Sequence, residues 1–400
     1  MYRLTEAQAR AAGVRSEDVW VEAEWWKYEV HLSASAADTA ASFHKVAAEL
    51  VGLVPGMPAG VGELVGEFMK LKAGWIKRVS NGNGCKLVSP WIFPLMLIPV
   101  AKRNPDTNLY WATYREGVDA PGWSEREQMP DHKSVENPAL ALFQDKVFCV
   151  YRGHTDQALW FTVNTPDGTG WSDAEGIPRQ FSKAAPALAV YGDRLYCVYM
   201  AHDGSQELYY TFFDGHGWSS PTKIPGQKTS TGPGLAVFDG KLYCVYQASG
   251  GAPEMYWTRF DGERWSDAVK MRRPDGGHHK CHREPALAAY AGLLHCVYRS
   301  DQKYGPLCHA TFDGTNWDSG TKIGDNKSED GPGLVVYRDR LHCVYRAITQ
   351  DASLYHVTYN GTTWSGYKKL DLVSAEGPRM IAHRDPETRE DQIFCIHRGR

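Results

Sequence analysis

The segment PALAVYGDRLYCVYMAHDGSQELYYTFFDGHGWS, residues 186–219, decides the architecture of this chain. Its elements recur through the C-terminal three-quarters of the sequence. Cys-Val-Tyr appears at Cys149, Cys197, Cys244, Cys296 and Cys343, with a degenerate Cys-Ile-His copy at Cys395. Pro-Ala/Gly-Leu starts at Pro138, Pro186, Pro233, Pro285 and Pro332, and Pro378 opens a last, altered copy. Trp-Ser falls at Trp123, Trp171, Trp218, Trp265 and Trp364, with Trp317-Asp318 as a variant. The period is about 47 to 52 residues. Each unit holds four short apolar or aromatic runs separated by turn clusters such as Asp-Gly, the signal for hairpin-connected strands. Four strands per repeat, six times over, is the pattern of a β-propeller.

The phase of the markers predicts how the ring closes. Trp123 has no Pro-Ala-Leu before it, and Pro378 has no Trp-Ser after it. Five blades are therefore whole and the sixth is split, with inner strands from 378–398 and outer strands from about 107–126. Joining the chain ends in one sheet removes two exposed edges. The apolar run at 94–101 offers a seventh-blade alternative.

The fold class expected is mainly β: a six-bladed propeller over residues 105–400, preceded by a small α+β module over 1–104. In that module, residues 5–12 read as a short helix with capping-box spacing between Thr5 and Gln8. Residues 18–32 alternate as one half-buried strand. Residues 38–54 and 60–77 carry apolar residues at helical spacing and read as a helical hairpin. Asn81–Gly84 is a turn, and 86–100 is a proline-broken apolar stretch. The hairpin invites a membrane-inserting reading. Its helices are short and carry Glu and Lys, which favours packing on a strand, or on one face of the propeller, instead.

Composition excludes several classes. The net charge of −3 supplies no basic field for a nucleic-acid backbone or an anionic membrane. Of the nine cysteines, six hold one equivalent position in successive blades, too far apart to pair. They read as buried, reduced, small apolar residues. The N-terminus lacks a charged segment followed by an apolar one, so no signal peptide is expected. The expected location is the cytoplasm, or release by lysis or an injection route. No cofactor or metal is expected. The cluster His278–His282 does not match a zinc spacing and reads as a solvated loop. No Gly-rich phosphate loop and no Ser/His/Asp motif is present.

One position repeats with chemistry attached. The residue after Cys-Val-Tyr is Arg152, Met200, Gln247, Arg299 or Arg346, and Arg398 ends the last copy. Across the next hairpin lie Trp160, Tyr209-Tyr210, Tyr256-Trp257, Cys308-His309, Tyr355-His356 and, in the split blade, Tyr110-Trp111. A sugar needs this pairing: an aromatic face for its C–H surface and forked or amide donors for its hydroxyls. The candidate ligand-binding residues are Trp111, Arg152, Trp160, Gln247, Trp257, Arg299, His309, Arg346, His356 and Arg398. The competing reading is structural: an arginine at a strand end holds a neighbouring blade's carbonyls, and the Trp of Trp-Ser packs between sheets.

Tyr151-Arg152-Gly153-His154-Thr155-Asp156-Gln157-Ala158-Leu159-Trp160 resembles the repeat of bacterial fucose-binding propeller lectins, and the six-fold count is closer to the fungal fucose lectins. The resemblance covers about residues 107–400. It implies calcium-independent binding of glycans, fucosylated ones among them, in shallow pockets between blades. The N-terminal 100 residues lie outside it and suggest a targeting ring fused to another module, as in bacterial toxins.

Two alternatives stand beside this lectin-like reading. One is a protein-interaction propeller with a membrane-active N-terminal module. The other is a sialidase-like glycosidase. Here Asp214-Gly215-x-x-Trp218 and its copies differ from the Asp box of sialidases and read as a turn plus a packing Trp. Glycoside hydrolysis also needs a unique carboxylate pair that breaks the repeat. Glu207, Glu254, Glu284 and Glu329 break it, none with a mate evident in sequence.

Overall fold

Each Cys-Val-Tyr run becomes the second strand of a four-stranded antiparallel sheet. In the computed structural model, five such sheets follow in chain order: blade I (139–181), blade II (187–228), blade III (234–270), blade IV (286–327) and blade V (333–373). The structure describes residues 19–23, 27–33, 36, 44–52, 54, 61–73, 76, 85–90, 98–101, 106–117, 122–164, 170–302, 305–349, 351–385 and 390–400. Blade VI is the split one. Its inner strands are Arg379–Arg384 and Asp391–Arg398, and its outer strands come from Asn108–Arg115, Gly122–Trp123 and Glu127–Lys133. The seam runs in register from Ile393 opposite Tyr114 to Arg398 opposite Leu109. The six innermost strands neighbour one another in cyclic order, and blade VI returns to blade I. Six blades close the ring.

Residues 98–101 form no seventh blade. Ile98–Ala101 pairs with Cys85–Pro90 in a separate sheet. The chain divides into two compact units, Met1–Asn104 and Pro105–Arg400. The first unit holds a four-stranded antiparallel sheet and two helices, α1 (His44–Gly52) and α2 (Val61–Leu71). The alternating run 18–32 is two strands, with Val19 opposite Leu32 and Ala23 opposite Tyr28. A period-two pattern is the same in both arms of a hairpin, and no Gly, Pro or Asn marks the reversal. Val46, Ala47 and Leu50 of α1 and Val65 and Met69 of α2 are buried in one cluster with Val21, Val30, Leu32 and Leu87 of the sheet. The helical stripes thus fill the unit's own core. Among the described residues no helix is long and apolar enough to cross a membrane. The helix expected at 5–12 and the turn at 81–84 lie outside the described residues.

In the ring, the repeat markers are joints. Asp214 Oδ1 accepts the backbone N–H groups of His216 (2.9 Å) and Gly217 (3.0 Å) while Gly215 sits at φ 99°. The left-handed backbone there is why glycine follows the aspartate. Asp261 and Asp313 build the same turn, and Asn360 replaces the aspartate in blade V. The serine of Trp-Ser closes a gap in the ladder. Ser219 Oγ accepts from Phe212 N (3.0 Å), as Ser172 accepts from Val163, Ser266 from Arg259 and Ser365 from Thr358. Asp318 does the same work with a carboxylate, taking Thr311 N on Oδ1 at 3.0 Å.

Blade is fastened to blade by the tyrosine of Cys-Val-Tyr. The Tyr246 hydroxyl donates to Gln227 Oε1, on the outer strand of the preceding blade. Gln227 Nε2 in turn donates to the Ser266 carbonyl (3.4 Å) of the tyrosine's own blade. Tyr199 and Gln180 repeat the clamp, as do Tyr345 and Asn326 (2.8 Å). At the joint between blades III and IV an imidazole replaces the amide. His279 Nε2 donates to the Asp318 carbonyl (2.9 Å), leaving Nδ1 to accept from the Tyr298 hydroxyl (2.8 Å). His279 and Cys281 are therefore buried at 1% and 0% exposure, which corrects the reading of 278–282 as a solvated loop. Cys149, Cys197, Cys244, Cys296, Cys343 and Cys395 are all free and fully buried.

Tyr246→Phe leaves Gln227 Oε1 buried without a donor. It is expected to lower unfolding free energy by about 1–3 kcal/mol in urea titration, with the native circular dichroism kept.

Candidate functional site

The arginines that end the second strands turn toward the following blade. Arg299 Nε donates to the Ser328 carbonyl (2.9 Å) and Arg346 Nε to the Ser374 carbonyl (3.0 Å), each at the entrance to the next blade. Arg398 Nη1 donates to the Val135 carbonyl (2.5 Å) across the closing seam. Arg152 Nη1 lies 3.5 Å from Glu136. Gln247 folds back on its own hairpin, donating to the Ala252 carbonyl (3.0 Å). These side chains tie loops between and within blades.

The aromatic candidates do not share a pocket with them. Trp111, Trp257, His309 and His356 face the same crevices as the arginines, but one ladder step deeper. Leu109, Met255, Leu307 and Leu354, all fully buried, stand between. Each candidate stacks on a second-strand ring of its own blade: Trp111 on Phe394, Trp257 on Tyr243, His309 on His295 and His356 on His342. Trp160 points the other way, because it pairs across the ladder with Tyr151 and not with Arg152. A one-residue step along a strand changes the face. Within a single blade the expected Arg-plus-aromatic pairing is therefore not assembled.

A pocket does open between blades IV and V, on the other member of the aromatic doublet. It has a volume of about 320 Å³ and is lined by Asp325, Asn326 and Lys327 from blade IV and by Tyr345, Tyr355, Tyr367 and the hairpin 347–349 from blade V. Tyr355 and Tyr367 lie 5.3 Å apart at 57°. Tyr367 is 64% exposed, the most open of the large apolar side chains described. In blades VI and III the ring equivalent to Tyr355 is covered by a cation. Arg126 lies over Tyr110 at 4.6 Å and Lys270 over Tyr256 at 5.6 Å. Strand alternation and the equivalence of Tyr355 with Trp160 were the available sequence signal.

A second polar group gathers where the loops entering the innermost strands converge. Glu284 is 6% exposed, and its Oε1 accepts from Asn137 of blade I's loop and from Arg379 Nη2 (2.9 Å) of blade VI. Asp330 is 2% exposed and accepts from Gly331 N (2.8 Å) and Gly377 N (3.0 Å), with Arg283 Nε at 3.5 Å. Glu376 hydrogen-bonds Asp330 and lies 3.4 Å from Arg398. Burial and the adjoining Asp330 carboxylate push Glu376 well up, so it carries the proton of the pair. Burial alone would raise Asp330, but the Glu376 hydrogen bond, Arg283 and the Gly331 N–H hold it below its ordinary value. Glu136 is pushed up to about 7 by burial and by Glu284. Glu284 thus has carboxylate neighbours that the sequence did not reveal. Glu207, by contrast, pairs with Lys223 at 2.5 Å on an exposed strand.

Ring, split blade and inter-blade pocket together define a six-bladed β-propeller. No protein-family model and no curated protein matches the sequence. Similar solved structures exist. A triple arginine-to-alanine variant of AofleA from Arthrobotrys oligospora matches with a TM-score of 0.51 at 11% identity, over 79% of this chain and 86% of that one. The six-bladed fucose-recognising lectin of Aleuria aurantia matches at 0.49 and 14% identity, over 71% and 89%. An α-L-arabinofuranosidase from Clostridium thermocellum matches at 0.43 and 14%, over 58% and 93%. At these identities the likeness is one of fold.

Because Glu376 already carries a proton, Glu376→Gln is expected to shift stability by no more than about 0.5 kcal/mol. Asp330→Asn sets an amide N–H against a backbone N–H and is expected to cost about 3 kcal/mol. Parallel urea titrations at pH 7.5 read both.

Proposed function

We propose that this propeller binds glycans, and that the pocket between blades IV and V is a working site. The observation that carries the reading is the pocket's wall. Two tyrosine rings, one of them largely exposed, stand opposite an amide, a carboxylate and an ammonium group. Stacking rings with convergent polar groups suit the two faces of a saccharide. A fucosylated glycan is the first ligand class to try, in keeping with the sequence resemblance. Arg299, Arg346 and Arg398 enter this reading as ties between blades that hold crevices at fixed width.

Binding without catalysis is the reading favoured at the converging loops. There the carboxylates bond to one another, to arginines and to backbone N–H groups. A glycosidase instead needs two carboxyl groups about 5–10 Å apart with the sugar between them. The glycosidase alternative has one observation in its favour: Glu284, Asp330 and Glu376 are clustered carboxyl groups, and Glu284 breaks the repeat. Turnover of chromogenic glycosides by the intact chain, abolished by Glu284→Gln, would replace the binding reading with that one.

The test of the binding reading is a glycan array with the intact chain, with and without EDTA. Saturable, EDTA-insensitive binding to a coherent sugar family is expected. Tyr367→Ala removes an exposed ring and is expected to weaken binding at least about tenfold, or about 1.4 kcal/mol, with unfolding unchanged. A blank array with wild-type protein sinks the proposal.

A further inference from the structure

Every blade stacks one ring of its second strand on one ring of its third. In blades I, II, III and VI the pairs are Phe148–Phe161, Tyr196–Tyr210, Tyr243–Trp257 and Phe394–Trp111. In blades IV and V the pair is two histidines, His295–His309 and His342–His356, with centroids 5.0 and 5.1 Å apart. All four imidazoles are at most 5% exposed.

Their protons are fixed by geometry. The Trp364 indole of blade V donates to His309 Nδ1 (3.2 Å), so the His309 proton is on Nε2. That proton is donated to His295 Nδ1 (2.8 Å), and His295 Nε2 donates to the Tyr290 carbonyl (3.1 Å). The Trp123 indole of blade VI donates to His356 Nδ1 (3.4 Å), and His356 Nε2 to His342 Nδ1 (3.0 Å). Neither relay has a vacant acceptor. An added proton must sit against Trp N–H or between the two imidazoles, and in either place it breaks a contact that spans or supports a crevice.

The indole bond is not needed to build a blade. In the other four crevices the corresponding nitrogens, of Trp171, Trp218, Trp265 and Trp317, are buried with no partner. The histidines thus occupy positions that apolar rings fill elsewhere in the same ring, and they flank one blade on both sides. That blade supplies Tyr345, Tyr355 and Tyr367 to the pocket. Tyr345, Tyr355 and Trp364 belong to one apolar cluster, so pocket wall and relay are packed together.

We propose that the two His–His–Trp relays are an acid-sensitive latch on blade V, closed at neutral pH and opened by protonation, which widens the crevice between blades IV and V and releases the pocket's ligand. The release step rests on the glycan reading above; the opening step does not. Burial holds the histidines low, His309 and His342 to about 4 and His356 to about 3, with His295 lowered as well. The unfolded or opened chain binds protons near the ordinary value of about 6.5. The opened form therefore carries more protons between about pH 6.5 and 4, and stability falls as pH falls through that window. The charged groups facing the first relay reduce to Asp318, whose oxygens already accept from Thr311 and Gly320. Tyr290 and Tyr359 are the titratable rings beside it. The second relay faces Glu116, Arg340 and Lys368, with Tyr114 and Tyr337 in ring contact. Arg340 and Lys368 oppose protonation, and Glu116 favours it.

The test is hydrogen exchange on the full chain at pH 7.5 and 5.0, corrected for intrinsic rates. Protection of residues 306–312 and 353–359 should fall at least tenfold at pH 5.0, while 158–164 and 207–213 keep theirs. Replacing the pairs by the rings of blade I, His295→Phe with His309→Phe and His342→Phe with His356→Phe, should abolish the difference. Unchanged protection of blade V down to pH 4 overturns the latch. If the variants fail to fold, histidine ring NMR of the wild type decides. Imidazoles titrating near 6.5 without loss of protection overturn it, and Nε2-protonated rings that titrate together with crevice opening support it. Array-bound glycan should elute at pH 5.0. Opening in exchange with an array blank at both pH values keeps the latch and removes the glycan reading.

Discussion

The hydrogen bond from the Cys-Val-Tyr tyrosine to an amide or imidazole of the preceding blade governs this ring. Each sheet twists and could pack on its neighbour at many angles. The apolar surfaces between blades are non-directional and fix no register. A buried hydroxyl that must find one acceptor, on a residue whose other end must reach a third strand, permits a single docking. Gln180, Gln227 and His279 each make that two-ended contact. The seam between blades V and VI lacks it, because Leu372 and His397 stand at the two positions. That seam is held instead by the Tyr337 hydroxyl on the Asp391 carbonyl (2.7 Å) and by Arg346 Nε on the Ser374 carbonyl (3.0 Å).

The architecture was legible because it is written six times. The markers repeat with the period of a four-stranded blade, and their phase locates the split blade. The site was less legible. His356 was chosen where Tyr355 lines the pocket, because a doublet of aromatic residues does not say which member faces which crevice. Tyr367 has no counterpart in the other blades and so left no trace in a search for repeats. Glu284 broke the symmetry visibly, but its partners Arg379 and Asn137 lie 95 and 147 residues away in sequence. Sequence separation hides such convergence, since propeller loops meet at the axis only after closure. The hairpin inside 18–32 was missed for a simpler reason: alternation persists through a reversal.

Symmetry and its breakage divide the labour in this ring. Repeated positions hold the fold: the Asp-Gly turns, the Trp-Ser joints, the tyrosine clamps. Departures from the repeated residue type hold the chemistry: Tyr367, Glu284, the histidine pairs. A propeller can vary one blade without disturbing the rest because its sheets pack only on their neighbours, the loops that converge near Glu284 apart.

The split blade has a consequence for biosynthesis. Strand Asn108–Arg115 leaves the ribosome roughly 280 residues before its partner Asp391–Arg398. At about 5–20 residues per second, that interval is roughly 15–60 s. Throughout it the nascent chain carries blades with an open ring and an unpaired strand edge. The open edge is a hazard for self-association until strand Asp391–Arg398 emerges, and translation rate becomes a determinant of yield.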